Sequence, residues 1–263
     1  MGTNGRREET AYGRWARLAL QCTGIAVLAA VWQIASLTNW LPQAVAPSFT
    51  QTISALFQQI QTYAFWAGTA NTFRAWGYGV LVSSLLGIPL GLLLGSNKVV
   101  YRLSRPTIEA VRPIPPIVIL PVVLVAVGYG FNLSALLITQ GAMWPLLIMT
   151  SYGVATVPQV ALDTATVFQF SFLRRLFFVR LAQALPLIGS GIRLAAAIAF
   201  AVSIMAGLVG GAPGLGQLLG LASQANDLPT LFALTVAIGF YGVIVISLFS
   251  ALERRLNRWK VTN

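Results

Sequence analysis

Residues Phe73 to Leu94 read F-R-A-W-G-Y-G-V-L-V-S-S-L-L-G-I-P-L-G-L-L-L, with no charge after Arg74. A helix that crosses the hydrocarbon core of a bilayer needs about 20 mostly apolar residues, each rising about 1.5 Å. This stretch meets the requirement, so it is read as a membrane span. Within and just beyond it, Gly87, Gly91 and Gly95 recur every fourth residue. Small residues at that spacing let helix backbones approach closely. The stripe is expected to serve packing within the chain rather than a seam between subunits.

Working outward, five further stretches have the same character: Leu18–Leu37, Val111–Val127, Leu133–Val154, Leu187–Val209 and Leu231–Leu252. The expectation is an all-α polytopic membrane protein with about six transmembrane helices. The third stretch is interrupted early by Pro113, Pro115, Pro116 and Pro121, and Gly128 to Asn132 forms a tight turn after it. The Pro run either fixes a non-helical entry, tolerated only where protein covers the freed backbone groups, or acts in gating. Between Leu41 and Thr62 the pattern changes. Ser48-Phe49-Thr50-Gln51 is an N-cap signature, and Ile53, Leu56, Phe57 and Ile60 follow at helical spacing among polar residues. That describes an amphipathic helix lying on the membrane or on its neighbours. Gly210 to Gly220 reads as a glycine-rich loop.

Composition agrees. Of 263 residues, 57% are hydrophobic and only 9% charged, whereas a soluble domain carries roughly a quarter charged residues. The formal net charge of +11 would suggest nucleic acid in a soluble protein, but the 17 Lys and Arg are not on one water-facing domain. They cluster at Arg6 to Arg17, Lys98 to Arg112, Arg174 to Arg193 and Arg254 to Lys260, with Arg74 apart. Six spans place all four clusters on one face, which the positive-inside rule makes cytoplasmic, with both termini there. The apolar stretch near the N-terminus is longer than a signal-peptide core and reads as a retained span, and Cys22 within it is a small hydrophobe.

Chemistry of other kinds has little to stand on. There is no His, no paired carboxylates and no phosphate-cradling Gly-x-x-x-x-Gly-Lys loop. No catalytic residue, metal site or cofactor is therefore expected in this chain. An intramembrane carboxylate or His, the usual mark of a proton- or sodium-coupled carrier, is also missing from the first, fourth and sixth spans. A self-sufficient facilitator or channel stays open. Polar Thr139, Gln140, Thr150 and Ser203 are candidates for a translocation path, or else are satisfied by helix backbone.

The segment Ala155 to Pro186 contains Asp163, several Arg, and Phe168, Phe170, Phe172, Phe177 and Phe178. So many rings on a solvated loop would be costly. Two short helices with a bend near Gln169 to Ser171 would press an apolar ridge either into another protein or onto this chain's own helix ends. The residues Phe168 to Phe172 would form the tip.

This segment resembles the coupling loop of binding-protein-dependent ABC permeases, E-A-A-x3-G-x9-I-x-L-P. At that spacing the chain offers Asp163, Thr164, Ala165, then Gln169, Val179, Leu181 and Ala182. Asn71 to Gly95, Arg112 to Pro121, Gly128-Tyr129-Gly130, Gly214-Leu215-Gly216 and Leu252 to Leu256 are similar to the nitrate, sulfonate and taurine branch of those permeases. Members of that branch often carry a Glu near Gly207, which this chain lacks. The resemblance implies a type I ABC importer fold in a bacterial inner membrane. It implies a second permease subunit (itself or a paralogue), an external solute-binding protein, and two cytoplasmic ABC ATPases that bind ATP and Mg. The substrate class it implies is a small anion such as a sulfonate or nitrate, or a small heterocycle. Asp163, Ala165, Phe168, Gln169, Phe170, Ser171, Phe172 and Leu181 would then form the ATPase-coupling loop. The expected organisation is 1–66 for the tail, first span and external helix, 67–252 for the permease core with its coupling loop at 155–186, and 253–263 for a cytoplasmic tail. Gln169 replaces a glycine, so its turn is expected to need no positive φ, or else the loop is a relaxed copy beside a better-matched partner permease.

Overall fold

A computed structural model of the chain describes residues 5–38 and 45–256. The start of the Leu41 to Thr62 segment and the tail from 257 to 263, with Lys260, lie outside these residues, as do the side chains of Arg6, Arg17 and Cys22. Every regular element described is helical: α1 (Gly5–Leu37), α2 (Phe49–Ile60), α3 (Tyr63–Ser96), α4 (Lys98–Val111), α5 (Pro116–Val127), α6 (Phe131–Ala155), α7 (Gln159–Val167), α8 (Phe172–Arg174), a π-helical stretch (Arg175–Leu181), α9 (Ala182–Gly210), α10 (Leu215–Gln224) and α11 (Leu228–Leu256).

Among the described residues four helical segments are long and apolar enough to cross a membrane. They contain α3, α6, α9 and α11, and a fifth span arises if the bent pair α4 and α5 counts as one. The first expected span falls on α1, whose described apolar part is Ala26–Leu37. Trp32 docks α1 onto the rest: its indole N–H donates to Pro47 O at 3.0 Å and its ring meets Phe49 and Phe232.

α3, α6 and α9 form the centre. The glycine stripe on α3 packs against α6, as its spacing predicts. A Cβ at Gly91 would lie 2.6 Å from Thr150 Cβ, and one at Gly95 would lie 2.5 Å from Ser151 O. Trp76 Nε1–H donates to Ala196 O of α9 at 2.9 Å, and Ser83, on the same face of α3 as the stripe, donates its Oγ–H to Thr139 O of α6 at 3.2 Å. Leu133, Ile138, Leu146, Ala195 and Ala199 fill the core between these helices. Such bonds matter more than in a soluble core, because lipid offers no substitute partner.

Three segments differ from expectation. The gap after α3 is the helix α4, capped by Asn97, whose Oδ1 accepts from Val99 N–H at 2.9 Å. Its axis turns by 88° before α5. α5 has 12 residues, about 18 Å of helix, too short by itself for a hydrocarbon core of about 30 Å. The glycine-rich stretch is also mostly helix, α10. Gly216 and Gly220 serve contact there rather than a turn, since a Cβ at Gly216 would strike Ile204 O of α9. Gly207 likewise has no room: its Cβ would lie 2.7 Å from Gln217 N. An acidic side chain at Gly207 itself could not be housed, which accounts for its absence there. α2 is as expected, with a capping box in which Ser48 and Gln51 satisfy each other's backbone N–H.

Candidate functional site

Two regions concentrate the features that the sequence singles out. The first is the segment joining α6 to α9. Pro158 starts α7, and the helix stops after Val167. Phe168 caps it, Gln169 stands at φ 52, and α8 begins at Phe172 behind the N-cap Ser171. The bend is where the sequence placed it, but its construction is not: Gln169, at the position where the family pattern has glycine, does adopt left-handed backbone. Two backbone bonds hold it there. Gln169 N–H donates to Thr166 O and Phe170 N–H to Ala165 O, both at 2.9 Å. These are the bonds of a helix C-cap with a left-handed residue just beyond the cap. Ala165, which accepts the longer-range bond, is buried.

The rings around this turn divide. Phe168 is 71% exposed and Phe172 is 65% exposed, while Phe170 is half-buried under the bend. Phe178 and Leu173 extend the exposed apolar ridge. Asp163 accepts from Gln159 Nε2–H at 2.9 Å and lines a small cavity with Phe172 and Arg175. Two arginines brace the turn from behind. Arg175 Nη1–H donates to Thr166 Oγ1 at 3.3 Å, fastening the start of the π stretch to α7. Arg180 Nη1–H donates to Ser96 O at 2.9 Å, fastening the π stretch to the end of α3. Leu181, the last residue of the π stretch, is half-buried and packs beside Val154, Ala184 and Ile188. The tip therefore sits on a rigid mount that leads directly into α9.

The second region is a cavity of about 530 Å³ between the Pro-rich entry to α5, α6 and α9. Of the four path candidates only Gln140 lines it, and Gln140 Nε2–H donates to Ile114 O at 3.2 Å. That bond satisfies one carbonyl freed by the Pro113 to Pro116 run. Thr139 bonds back to Ala135 O at 2.7 Å, Ser203 to Phe200 O at 2.7 Å, and Thr150 is fully buried against Gly91. The cavity also contains Trp144, whose indole nitrogen is buried without a partner among the described residues. Its tryptophan is a residue that sequence reasoning did not select, since an apolar ring in an apolar run carries no signal. Arg112 stands at one end. Arg193 is engaged elsewhere, 3.0 Å from the Glu253 carboxylate, which also accepts from Ser190. This ties α9 to the end of α11.

Comparison with known proteins agrees with the geometry. Residues 87–260 match the family described as "Binding-protein-dependent transport system inner membrane component". The chain is 28% identical over 237 residues to the putative aliphatic sulfonates transport permease protein SsuC of Bacillus subtilis (strain 168), covering 89% of this chain and 85% of the relative. It is 27% identical over 253 residues to the taurine transport system permease protein TauC of Escherichia coli (strain K12), covering 92% and 90%. It is 30% identical over 195 residues to the bicarbonate transport system permease protein CmpB of Synechococcus elongatus, covering 74% and 70%. Among solved structures, the methionine ABC transporter MetNI in inward-facing conformations matches with a TM-score of 0.67 at 20% identity, over 75% of this chain and 98% of that one. The expected type I importer fold is thus the fold observed. On the match over residues 87–260, the chain belongs to the binding-protein-dependent transport system inner membrane component family and is an ABC importer permease.

Proposed function

We propose that this permease imports a small anion of the sulfonate, taurine or bicarbonate kind, in a bacterial inner membrane. Two cytoplasmic ABC ATPases, which bind ATP and Mg, dock on the segment at 155–186. A second permease subunit completes the channel, and an external solute-binding protein delivers the substrate. The observation that carries this reading is the exposed Phe168 and Phe172 pair on a mount fixed to α3 and α9. Large apolar rings held rigidly on a polar segment are the kind of anchor that dominates an interface. Asp163, Ala165, Gln169, Phe170, Ser171 and Leu181 shape that anchor, and the cavity beside Gln140 is the translocation path. The sidedness follows from the basic clusters. Names of relatives supply the substrate class: sulfonates, taurine and bicarbonate are what their printed descriptions give.

Reconstitution in proteoliposomes tests the reading. Uptake of radiolabelled taurine or bicarbonate is expected only with the ATPase subunits, ATP-Mg and the binding protein present. Flux through this chain alone would make it a facilitator and overturn the proposal.

A further inference from the structure

We infer that the cleft between α4 and α6 binds the headgroup of an anionic phospholipid from the leaflet on the basic side. Four observations converge there. First, α4 turns 88° from α5, which itself packs along α6 and α9, so α4 runs crosswise to the spans. Second, none of its 14 residues is buried, although Val99 is 65% exposed and Leu103 is 76% exposed. An uncovered apolar face beside membrane spans is matched by acyl chains. Third, Lys98, Arg102, Arg105 and Arg112 stand against a single carboxylate, Glu109, whose hydrogen bond and charge hold Arg105 above its ordinary pKa. Fourth, Lys98, Tyr101, Arg112 and the Arg105–Glu109 ion pair face α6 across a cleft of about 310 Å³, opposite Ser151 and Tyr152, so that Lys98 and Arg112 are its cations without a carboxylate partner among the described residues. The wall between them is apolar, formed by Leu94, Leu147 and Ile148.

Basic and hydroxyl groups at the rim with an aliphatic wall are what a phosphodiester with a proximal acyl chain requires. A free phosphate would use the rim and leave the wall uncovered. The charge term alone is worth about fivefold in affinity per cation near an anionic surface. Arg180 reaches the adjoining Ser96 carbonyl, so a lipid held here sits next to the mount of the Phe168 turn. The inference needs only a membrane protein and stands apart from the transport reading.

The full chain, purified in detergent and stripped of lipid, is titrated with phosphatidylglycerol or phosphatidylcholine and followed by native mass spectrometry. Retention of phosphatidylglycerol is expected, with phosphatidylcholine retained far less. Lys98→Gln with Arg112→Gln should weaken retention roughly 25-fold, while Arg254→Gln with Arg255→Gln should leave it unchanged. Equal retention of both lipids, or equal loss in both variants, overturns the proposal. Displacement by glycerol phosphate or inorganic phosphate at comparable concentration would instead mean a soluble-anion site. Should the double variant fail to fold, a photoreactive phosphatidylglycerol on the unaltered chain gives the answer. Labelling confined to 94–112 and 147–155 supports the site, and labelling elsewhere, or a cleft shielded by a second copy of the chain, removes it.

Discussion

At Gln169 a side chain occupies backbone that L-residues enter at a cost of about 1–2 kcal/mol. The compensation is local: two 2.9 Å backbone bonds close the α7 terminus, and the residue is exposed. Gln169→Gly should therefore relieve about 1 kcal/mol and raise hydrogen-exchange protection of the Phe168 and Phe170 amides about fivefold. Unchanged protection would mean that the turn is unstrained. The expectation that Gln excludes a positive φ was wrong because residue type biases the backbone by less than a well-formed cap can repay. The glycine stripe was legible for the opposite reason, since spacing alone puts Gly87, Gly91 and Gly95 on one face. At Gly91 a methyl would lie 2.6 Å from Thr150 Cβ and 2.7 Å from Leu147 O, a backbone atom that cannot swing aside. Gly91→Ala should lower stability by roughly 1–3 kcal/mol in detergent unfolding, whereas Gly77→Ala, with nothing within 4 Å, should not.

Elements were legible where hydrophobicity runs long and obscure where glycine and charge intervene. α3, α6, α9 and α11 contain the expected spans and extend them by a few residues to about ten. α10 was missed because glycine has two uses, and sequence does not say whether Gly216 makes a turn or admits a neighbouring helix. α4 was missed because its basic residues, three and four apart, mark a helix face as well as a topogenic loop. The bend between α7 and α8 was readable from its aromatic and polar alternation, but which rings project was not. Burial now separates them, and the expected outcomes separate with it. Phe168→Asp or Phe172→Asp should abolish stimulation of the partner ATPases while the chain remains folded and monodisperse. Phe170→Asp should instead disturb the bend itself and lower its exchange protection, because that ring is half-buried. Normal coupling in the Phe168 and Phe172 variants would place the contact elsewhere.

For the whole molecule, the distribution of charge decides what the membrane domain can select. The drift at Asp163, Gln169 and Ala182 leaves pairing with itself or with a paralogue as alternatives, and co-purification through a tag on this chain tells one permease band from two. Selectivity is a separate matter. On the proposed path, an anion in the cavity between α5, α6 and α9 would meet Gln140, whose Nε2–H is already bonded to Ile114 O, and the Trp144 indole. Of the cations nearby, Arg193 is committed to Glu253, and Arg112 lines both this cavity and the cleft beside α4. A wall with one unpartnered indole donor, one unpartnered amide oxygen on Gln140 and one cation at its margin offers few groups to discriminate with, since strong rejection of a wrong solute needs buried groups that the wrong solute leaves unpaired. Under the proposed function, choice of substrate would then fall to the external binding protein. Replacing that protein with the binding protein of a relative of different substrate, while keeping this permease and its ATPases, should move uptake to the new substrate. The half-saturating concentration should follow the binding protein's own affinity. Trp144→Phe, which removes the donor and keeps the ring, should change the rate by less than about tenfold and leave the preference where the binding protein sets it. If the preference stays with the permease after the exchange, or if Trp144→Phe redirects it, the pore itself is selecting.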